Sequence, residues 1–129
     1  MKTVAVDTNV LVTYLIGREP DFKTTKQLFQ QCLEGKLRLF IPLPVFLETE
    51  WVLRSFYQQP KETIIKFFDQ LLLINNLITE DKDNINFSLN LYKNSSISFT
   101  DCIIIKQVHS REYDFLTFDK DLEKFFQSL

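Results

Sequence analysis

Four acidic residues stand at positions from which their carboxylates could act together. Asp7 and Asp119 each follow a short apolar run and precede a helical segment, and Asp101 follows a polar loop that is rich in serine. Glu48 lies in the early turns of a helix that Pro44 opens. Carboxylate oxygens are the ligands that Mg²⁺ and Mn²⁺ prefer, and bound metal ions activate water for phosphodiester hydrolysis. The four acids are therefore candidate metal ligands and catalytic residues.

Gathering carboxylates in one place is unfavourable unless a cation is bound. Two full charges about 5 Å apart repel each other by about 3 kcal/mol at an effective dielectric of about 20. A purely structural core would avoid such a cluster, whereas a divalent cation stabilises it. The residue types therefore favour a metal site if the fold brings the four acids to one place.

Each acid also has a purely structural interpretation. Asp7 and Asp119 are suited to cap the helices that follow them, and Asp101 would interact favourably with the dipole of its own helix. Glu48 lies among apolar neighbours, where a glutamate is seldom buried without a partner. It is the joint placement of the four acids that favours a functional site.

Two neighbouring acids compete for the same roles. Glu50 lies about 200° around the helix from Glu48, and periodicity does not choose between them. Asp121 competes with Asp119, although we interpret it as an exposed charge at the start of a helix. On the residues alone, both choices stay open.

Alternating strand-like and helical runs define the elements that must position these acids. Strands are predicted over residues 3–6, 37–41, 77–79 and 114–118. Helices are predicted over residues 8–16, around 25–32, over 44–57, from 60 onward, around 85–92, over 100–111 and over 120–126. Strands separated by helices indicate an α/β fold with a parallel sheet that helices cover on both faces. In such sheets, sites collect at the carboxyl ends of the strands, so we expect all four acids at one edge.

Composition limits the alternatives. A chain of 129 residues with 45% hydrophobic positions predicts one domain over residues 1–129. The balance of 15 basic and 17 acidic residues excludes a polybasic tail, and two distant glycines, Gly17 and Gly35, exclude a phosphate-binding loop. One histidine, His109, and two cysteines, Cys32 and Cys102, exclude a zinc finger or a disulfide framework and favour the cytoplasm. No apolar run approaches the length of a membrane span.

Four segments resemble, in order and spacing, the acidic motifs of PIN-domain proteins, and most of all those of VapC-type toxins. They are VAVDTNVLV (residues 4–12), LETEWVL (residues 47–53), FTDCIII (residues 99–105) and LTFDKDL (residues 116–122). The resemblance extends over essentially the whole chain. It implies a three-layer α/β/α sandwich with a mainly parallel sheet of about four to five strands.

The resemblance also implies roles for particular residues. It assigns metal binding and catalysis to Asp7, Glu48, Asp101 and Asp119. It thereby selects Glu48 over Glu50 and Asp119 over Asp121. It places Asn9 and Thr117 as polar supporters of the site, although helix capping and a strand-end hydrogen bond explain these two residues equally well.

The activity that the resemblance implies is an endoribonuclease that depends on Mg²⁺ or Mn²⁺ and leaves a 5′-phosphate and a 3′-hydroxyl. The same likeness implies the toxin of a type II toxin–antitoxin pair, a homodimer that a cognate antitoxin inhibits. The alternative is a catalytically inert PIN-like module that binds RNA or protein. A phosphatase of the haloacid-dehalogenase type is disfavoured, because that chemistry needs a second aspartate where this chain has Asn9.

The RNA target, the antitoxin, the number of metal ions and the dimer surface cannot be predicted from this sequence. We interpret the scattered basic residues as solvated surface charges rather than phosphate contacts: Arg18, Lys23, Lys26, Arg54, Lys93 and Lys106. One apolar helix face is a candidate dimer surface, although most of it is expected in the core: Phe46, Leu47, Leu53 and Tyr57. His109 is expected to pack or face solvent without a catalytic role.

Overall fold

The computed structural model describes all residues from 1 to 129, and their contacts group into two compact units. We call Met1–Lys82 the sheet unit and Asp83–Leu129 the helical unit. The sheet unit contains, in chain order, β1 (Thr3–Ala5), α1 (Thr8–Ile16), α2 (Phe22–Leu33), β2 (Arg38–Ile41), α3 (Leu43–Ser55), α4 (Lys61–Leu72) and β3 (Leu77–Thr79). The helical unit contains α5 (Lys82–Asn94, which begins at the last residue of the sheet unit), α6 (Phe99–Ser110) and α7 (Lys120–Gln127).

The sheet consists of three parallel strands in the order β1-β2-β3. Val4 lies opposite Leu39, which in turn lies opposite Leu77. Helices connect each strand to the next, as parallel pairing requires. The predicted α/β class and the parallel direction of the strands are therefore confirmed.

Local signals explain where the helices of the sheet unit begin and end. Asp7 caps α1 by accepting a hydrogen bond from the backbone N–H of Val10. Gly17 ends α1 in the left-handed conformation, with φ of 78°, and donates its N–H to the carbonyl of Thr13. Pro42 and Pro60 stand immediately before α3 and α4, where a missing N–H costs nothing.

The core of the sheet unit is built from aliphatic and phenylalanine side chains. Helix α1 packs against both α2 and α3. The ring of Phe46 meets that of Phe68 edge-on, with 5.3 Å between centroids, and Tyr14 stacks on Phe29 at 3.8 Å. Phe46 and Leu53, which we considered for a dimer surface, are fully buried in this core, as expected for most of that face.

The helical unit has its own small core. Ile85, Leu89 and Tyr92 of α5 are buried, and Tyr92 lies 5.6 Å from the ring of Phe99 at the start of α6. Buried polar groups join the two helices, because the side-chain amide of Asn84 donates to the carbonyl of Ile103 at 3.3 Å. Three helices and no strand make up this unit.

The predicted strand over residues 114–118 is wrong, and the sheet has three strands rather than four to five. Phe115 packs against Phe126 of α7 with 5.1 Å between ring centroids. Leu116 and Phe118 point outward and are 85% and 96% exposed. A short apolar run is compatible with a strand, but a strand forms only where a neighbour supplies the backbone ladder. In this run, Phe115 instead packs on a ring of α7, and Leu116 and Phe118 face solvent.

None of the helices combines the length and the apolar character that a membrane-spanning segment requires.

Candidate functional site

Asp7 lies where β1 gives way to α1, and its carboxylate is exposed. Oδ1 accepts the Val10 N–H at 3.0 Å, so one oxygen satisfies a free donor at the helix start. The other oxygen, Oδ2, accepts no hydrogen bond from the chain. The structural role predicted for Asp7 is therefore real, and it leaves an oxygen available to a ligand.

Helix α3 carries two acidic residues with opposite environments. Glu50 is only 3% exposed, and its carboxylate accepts hydrogen bonds from Nε and Nη2 of Arg54 at 2.7 and 3.4 Å. Glu48 is exposed and forms neither a hydrogen bond nor an ion pair. Arg54 is exposed, as expected for a surface charge, and it also forms an ion pair with the buried Glu50.

Asp7 and Glu48 line the same cavity of about 370 Å³, which we call the acidic cavity. Its remaining lining residues are Thr8, Asn9, Pro44 and Val45. Protein sites for Mg²⁺ commonly supply one or two carboxylates and leave the other positions to water and substrate phosphates. The donor set of the acidic cavity therefore suits a divalent cation.

A second cavity of about 360 Å³, which we call the aromatic cavity, shares Thr8, Asn9 and Glu48 with the first. The other lining residues are Val12, Arg18, Trp51, Val52, Phe56 and Tyr57. Three residues common to both linings make the two cavities neighbours on one surface of the sheet unit. A chain molecule that occupies one cavity can therefore extend into the other.

Arg18 is the residue of this region that the sequence prediction missed. Its guanidinium is half-buried and donates to the side chain of Asn9, to Oγ1 of Thr13 at 2.8 Å and to the hydroxyl of Tyr57 at 3.2 Å. The interpretation of Arg18 as a solvated surface charge is therefore wrong. One local signal was available, because a residue after a left-handed glycine turns back beside its own helix.

Asn9 was expected to support the site, and the structure shows what it contacts. Its side-chain oxygen accepts a hydrogen bond from Arg18 Nη2, and its backbone carbonyl lies 3.5 Å from the same nitrogen. Asn9 is exposed and lines both cavities. Asn9 therefore holds the positively charged guanidinium of Arg18 at the boundary between the two cavities.

In the helical unit, Asp101 and Asp119 both lie in the first turn or at the cap of a helix. Asp101 is half-buried in α6, and its backbone N–H donates to the capping hydroxyl of Ser98 at 3.1 Å. Asp119 caps α7 by accepting from the N–H groups of Asp121 and Leu122 at 3.0 and 3.1 Å. The backbone N–H of Asp119 donates to Oγ1 of Thr117 at 3.1 Å, so Thr117 supports this turn.

Each unit thus holds two of the four predicted acids. Neither unit by itself brings together three or more His, Cys, Asp or Glu side chains that could hold a metal ion. The joint action of all four carboxylates stays a prediction.

The single histidine and the two cysteines line neither cavity. His109 is exposed, with its ring 6.1 Å from that of Phe126. Burial raises the pKa of the Cys32 thiol, although a backbone hydrogen bond at Leu39 acts in the opposite direction. A raised pKa disfavours the thiolate, which is the reactive form. Cys102 is buried as well.

Comparison with known proteins agrees with the resemblance of the motifs. The sequence model of the PIN domain matches residues 4–125, a range that includes all four acids and both units. The VapC ribonuclease of Aquifex aeolicus (strain VF5) is 29% identical over 98 residues, which cover 76% of this chain and 73% of that protein. Because the domain match spans nearly the whole sequence, the chain belongs to the PIN domain family.

Proposed function

We propose that this protein is a ribonuclease that depends on Mg²⁺ or Mn²⁺ and cleaves RNA internally. The observation that carries the proposal is the acidic cavity, onto which Asp7 and Glu48 open without an internal ion pair. Membership of the PIN domain family and similarity to a VapC ribonuclease support the same activity.

The proposed site uses four carboxylates. Asp7 and Glu48 would hold the cation from the sheet unit, and Asp101 and Asp119 would be the further ligands and catalytic residues. When bound, Mg²⁺ or Mn²⁺ supplies Lewis acidity and an activated water for phosphodiester hydrolysis. Hydrolysis adds water across the bond between phosphorus and the 3′-oxygen, so the products carry a 5′-phosphate and a 3′-hydroxyl.

Two further residues of the chain have positioning roles in this mechanism. Asn9 orients Arg18 beside the acidic cavity, and Thr117 fixes the backbone of the turn that presents Asp119. Glu48 has no internal partner to displace, so ligand binding breaks no ion pair within the chain. No histidine acts as a base.

The biological role that we propose is the toxin of a type II toxin–antitoxin pair in the cytoplasm, with residues 1–129 acting as one PIN-like domain. RNA is the substrate, a cognate antitoxin is the inhibitor, and the active form is a homodimer. The similarity to a VapC ribonuclease supports the RNA substrate and the antitoxin.

Cleavage of RNA by the purified protein tests the proposed activity. Labelled RNA is incubated with MgCl₂, with MnCl₂ or with EDTA, and the wild type is compared with Asp7→Asn and Glu48→Gln. We expect cleavage only with metal, and a loss of roughly 100-fold or more in both variants, because loss of groups that merely orient metal ligands already costs about 10- to 100-fold.

Asp69→Asn is the matched control, because it removes an exposed carboxylate from α4, which lines neither cavity. It should cleave like the wild type. Cleavage that persists in EDTA or in Asp7→Asn would contradict the proposal. RNA binding without cleavage under every metal condition would instead favour the inert binding module.

A further inference from the structure

The aromatic cavity beside the carboxylates has the size and walls of a ligand site. Its volume of about 360 Å³ falls within the range of about 300–1,000 Å³ that is typical of small-ligand pockets. Trp51 and Phe56, which line it, are 57% and 74% exposed. Large aromatic side chains left in solvent at a cavity are an unused binding surface.

Arg18 brings a positive charge to this cavity, and Glu48 lines the same cavity without forming an ion pair with it. All its hydrogen-bond acceptors are neutral, namely the carbonyl and side chain of Asn9, Oγ1 of Thr13 and the hydroxyl of Tyr57. No carboxylate lies within ion-pair distance of the guanidinium. A guanidinium has five N–H donors, and the contacts of Nη1 to Tyr57 and of Nη2 to Asn9 and Thr13 leave donors on Nε and Nη1 for a further acceptor. The half-buried cation of Arg18 therefore complements a phosphate.

The cation and the aromatic walls belong to one connected set of contacts. The ring of Phe56 meets that of Tyr57 edge-on at 4.9 Å, and the hydroxyl of Tyr57 accepts a hydrogen bond from Arg18 at 3.2 Å. Arg18 in turn is bonded to Asn9, which also lines the acidic cavity. The charge is thus held at a fixed place between the aromatic cavity and the carboxylates.

We propose that the aromatic cavity binds one unpaired nucleotide of the RNA, next to the phosphate that is cleaved. The Arg18 guanidinium contacts the phosphate of that nucleotide, and its base stacks on Trp51. An unpaired nucleotide supplies both an anion for Arg18 and a flat apolar ring for the aromatic wall, and the common lining residues connect it to the acidic cavity. This assignment rests on the proposed nuclease function and adds the two side chains that hold a nucleotide beside the carboxylates.

Trp51 is the only tryptophan of the chain, so its fluorescence reports occupation of this cavity directly. The protein is titrated in EDTA, where metal-dependent cleavage is absent, with a single-stranded hexauridylate and with an RNA duplex of the same strand length. We expect the single strand to quench the fluorescence with saturation, because stacked bases contact the indole. The duplex should leave the fluorescence unchanged.

Substitution of Arg18 tests the phosphate contact. Arg18→Gln should weaken binding of the hexauridylate by roughly 10-fold and reduce the dependence of log affinity on log salt concentration by about one. Arg18→Lys keeps the positive charge without the planar guanidinium and should restore part of the affinity. Arg38→Gln is the control, because it removes an exposed arginine that lines neither cavity. The melting temperature of each variant shows that it folds.

The outcomes separate this inference from the nuclease itself. Equal quenching by the duplex, no quenching by the single strand, or wild-type affinity in a folded Arg18→Gln variant would overturn the subsite. Quenching by a protein partner but not by RNA would also overturn it. Saturable quenching without metal-dependent cleavage would support the subsite and reject the nuclease. Metal-dependent cleavage with an unaltered KM in Arg18→Gln would support the nuclease and reject the subsite.

Discussion

The sheet unit and the helical unit each contain two of the four candidate acids, but the contacts that position these acids differ between the units. Asp7 continues from a strand that is hydrogen-bonded to β2, and Glu48 lies on a helix that packs against α1 and α4. Asp119 follows residues 113–118, which form no strand or helix, and its hydrogen bonds run only to residues 117–123. The position of Asp7 thus depends on distant parts of the chain, and the local bonds of Asp119 lie within its own turn.

The largest expected effect comes from comparing two phenylalanines, one in each unit. Phe46 is fully buried against Phe68, so Phe46→Ala should lower the free energy of unfolding by about 3–5 kcal/mol through lost burial and a cavity. Phe118→Ala removes an exposed ring and should change it by less than about 0.5 kcal/mol. Urea unfolding measures both. A large loss in Phe118→Ala would mean that the Phe118 ring has a packing partner.

The next effect shows whether both units contribute to metal binding. Mg²⁺ at about 100 times its dissociation constant should stabilise the protein by about 2.7 kcal/mol, which thermal unfolding detects as a higher Tm. Asp7→Asn and Asp119→Asn should both reduce this gain if the two carboxylates bind the same ion. Full stabilisation in Asp119→Asn would restrict metal binding to the sheet unit. No shift in the wild type would count against any metal site.

A smaller effect distinguishes the two acids of α3. Glu50→Gln weakens a buried, charge-assisted contact with Arg54 and should destabilise the protein by about 1–3 kcal/mol while cleavage by the folded fraction persists. Glu48→Gln should leave stability within about 0.5 kcal/mol and abolish cleavage. Chemical denaturation and the RNA assay, run on both variants, give the two readouts. If Glu48→Gln and Glu50→Gln changed stability and cleavage to the same extent, the proposed difference between the two acids would be wrong.

The smallest effect concerns the helix cap in the helical unit. Asp119→Ala removes an acceptor for two backbone N–H groups and should cost about 1 kcal/mol, whereas Asp119→Asn keeps a capping oxygen and should retain most of the stability. Both variants should lose cleavage if Asp119 binds the metal. Denaturant midpoints therefore separate capping from metal binding, and an alanine variant as stable as the wild type would show that the cap contributes little.

Helix and strand positions followed from local signals and were largely predictable. The helix over residues 8–16 and the strand over residues 77–79 agree with α1 and β3, because Asp7, Gly17 and the flanking turn residues act within a few positions. Residues 114–118 were predicted wrongly, since a short apolar run does not indicate whether a neighbouring strand is present to pair with it. The fold class follows from local signals, whereas the number of strands depends on pairing between distant segments.

The candidate site was only partly predictable, because its contacts are distant in sequence. Arg18 meets Tyr57, which lies 39 positions away, and neither composition nor spacing indicates that pairing. Glu48 and Glu50 are distinguished by what packs against α3, which periodicity alone does not specify. The resemblance of the motifs selected Glu48, and the structure adds that Glu50 is bonded to Arg54.

The left-handed turn at Gly17 has a consequence for how the charge beside the carboxylates can be altered. No atom lies within 4 Å of the place where a side chain at Gly17 would begin, so the requirement there is the handedness of the backbone and not space. That handedness carries Arg18 back along the helix, where its backbone N–H bonds to the carbonyl of Thr13. A single residue inserted after Gly17 would therefore move the Arg18 guanidinium, while every other residue that lines the aromatic cavity would stay the same.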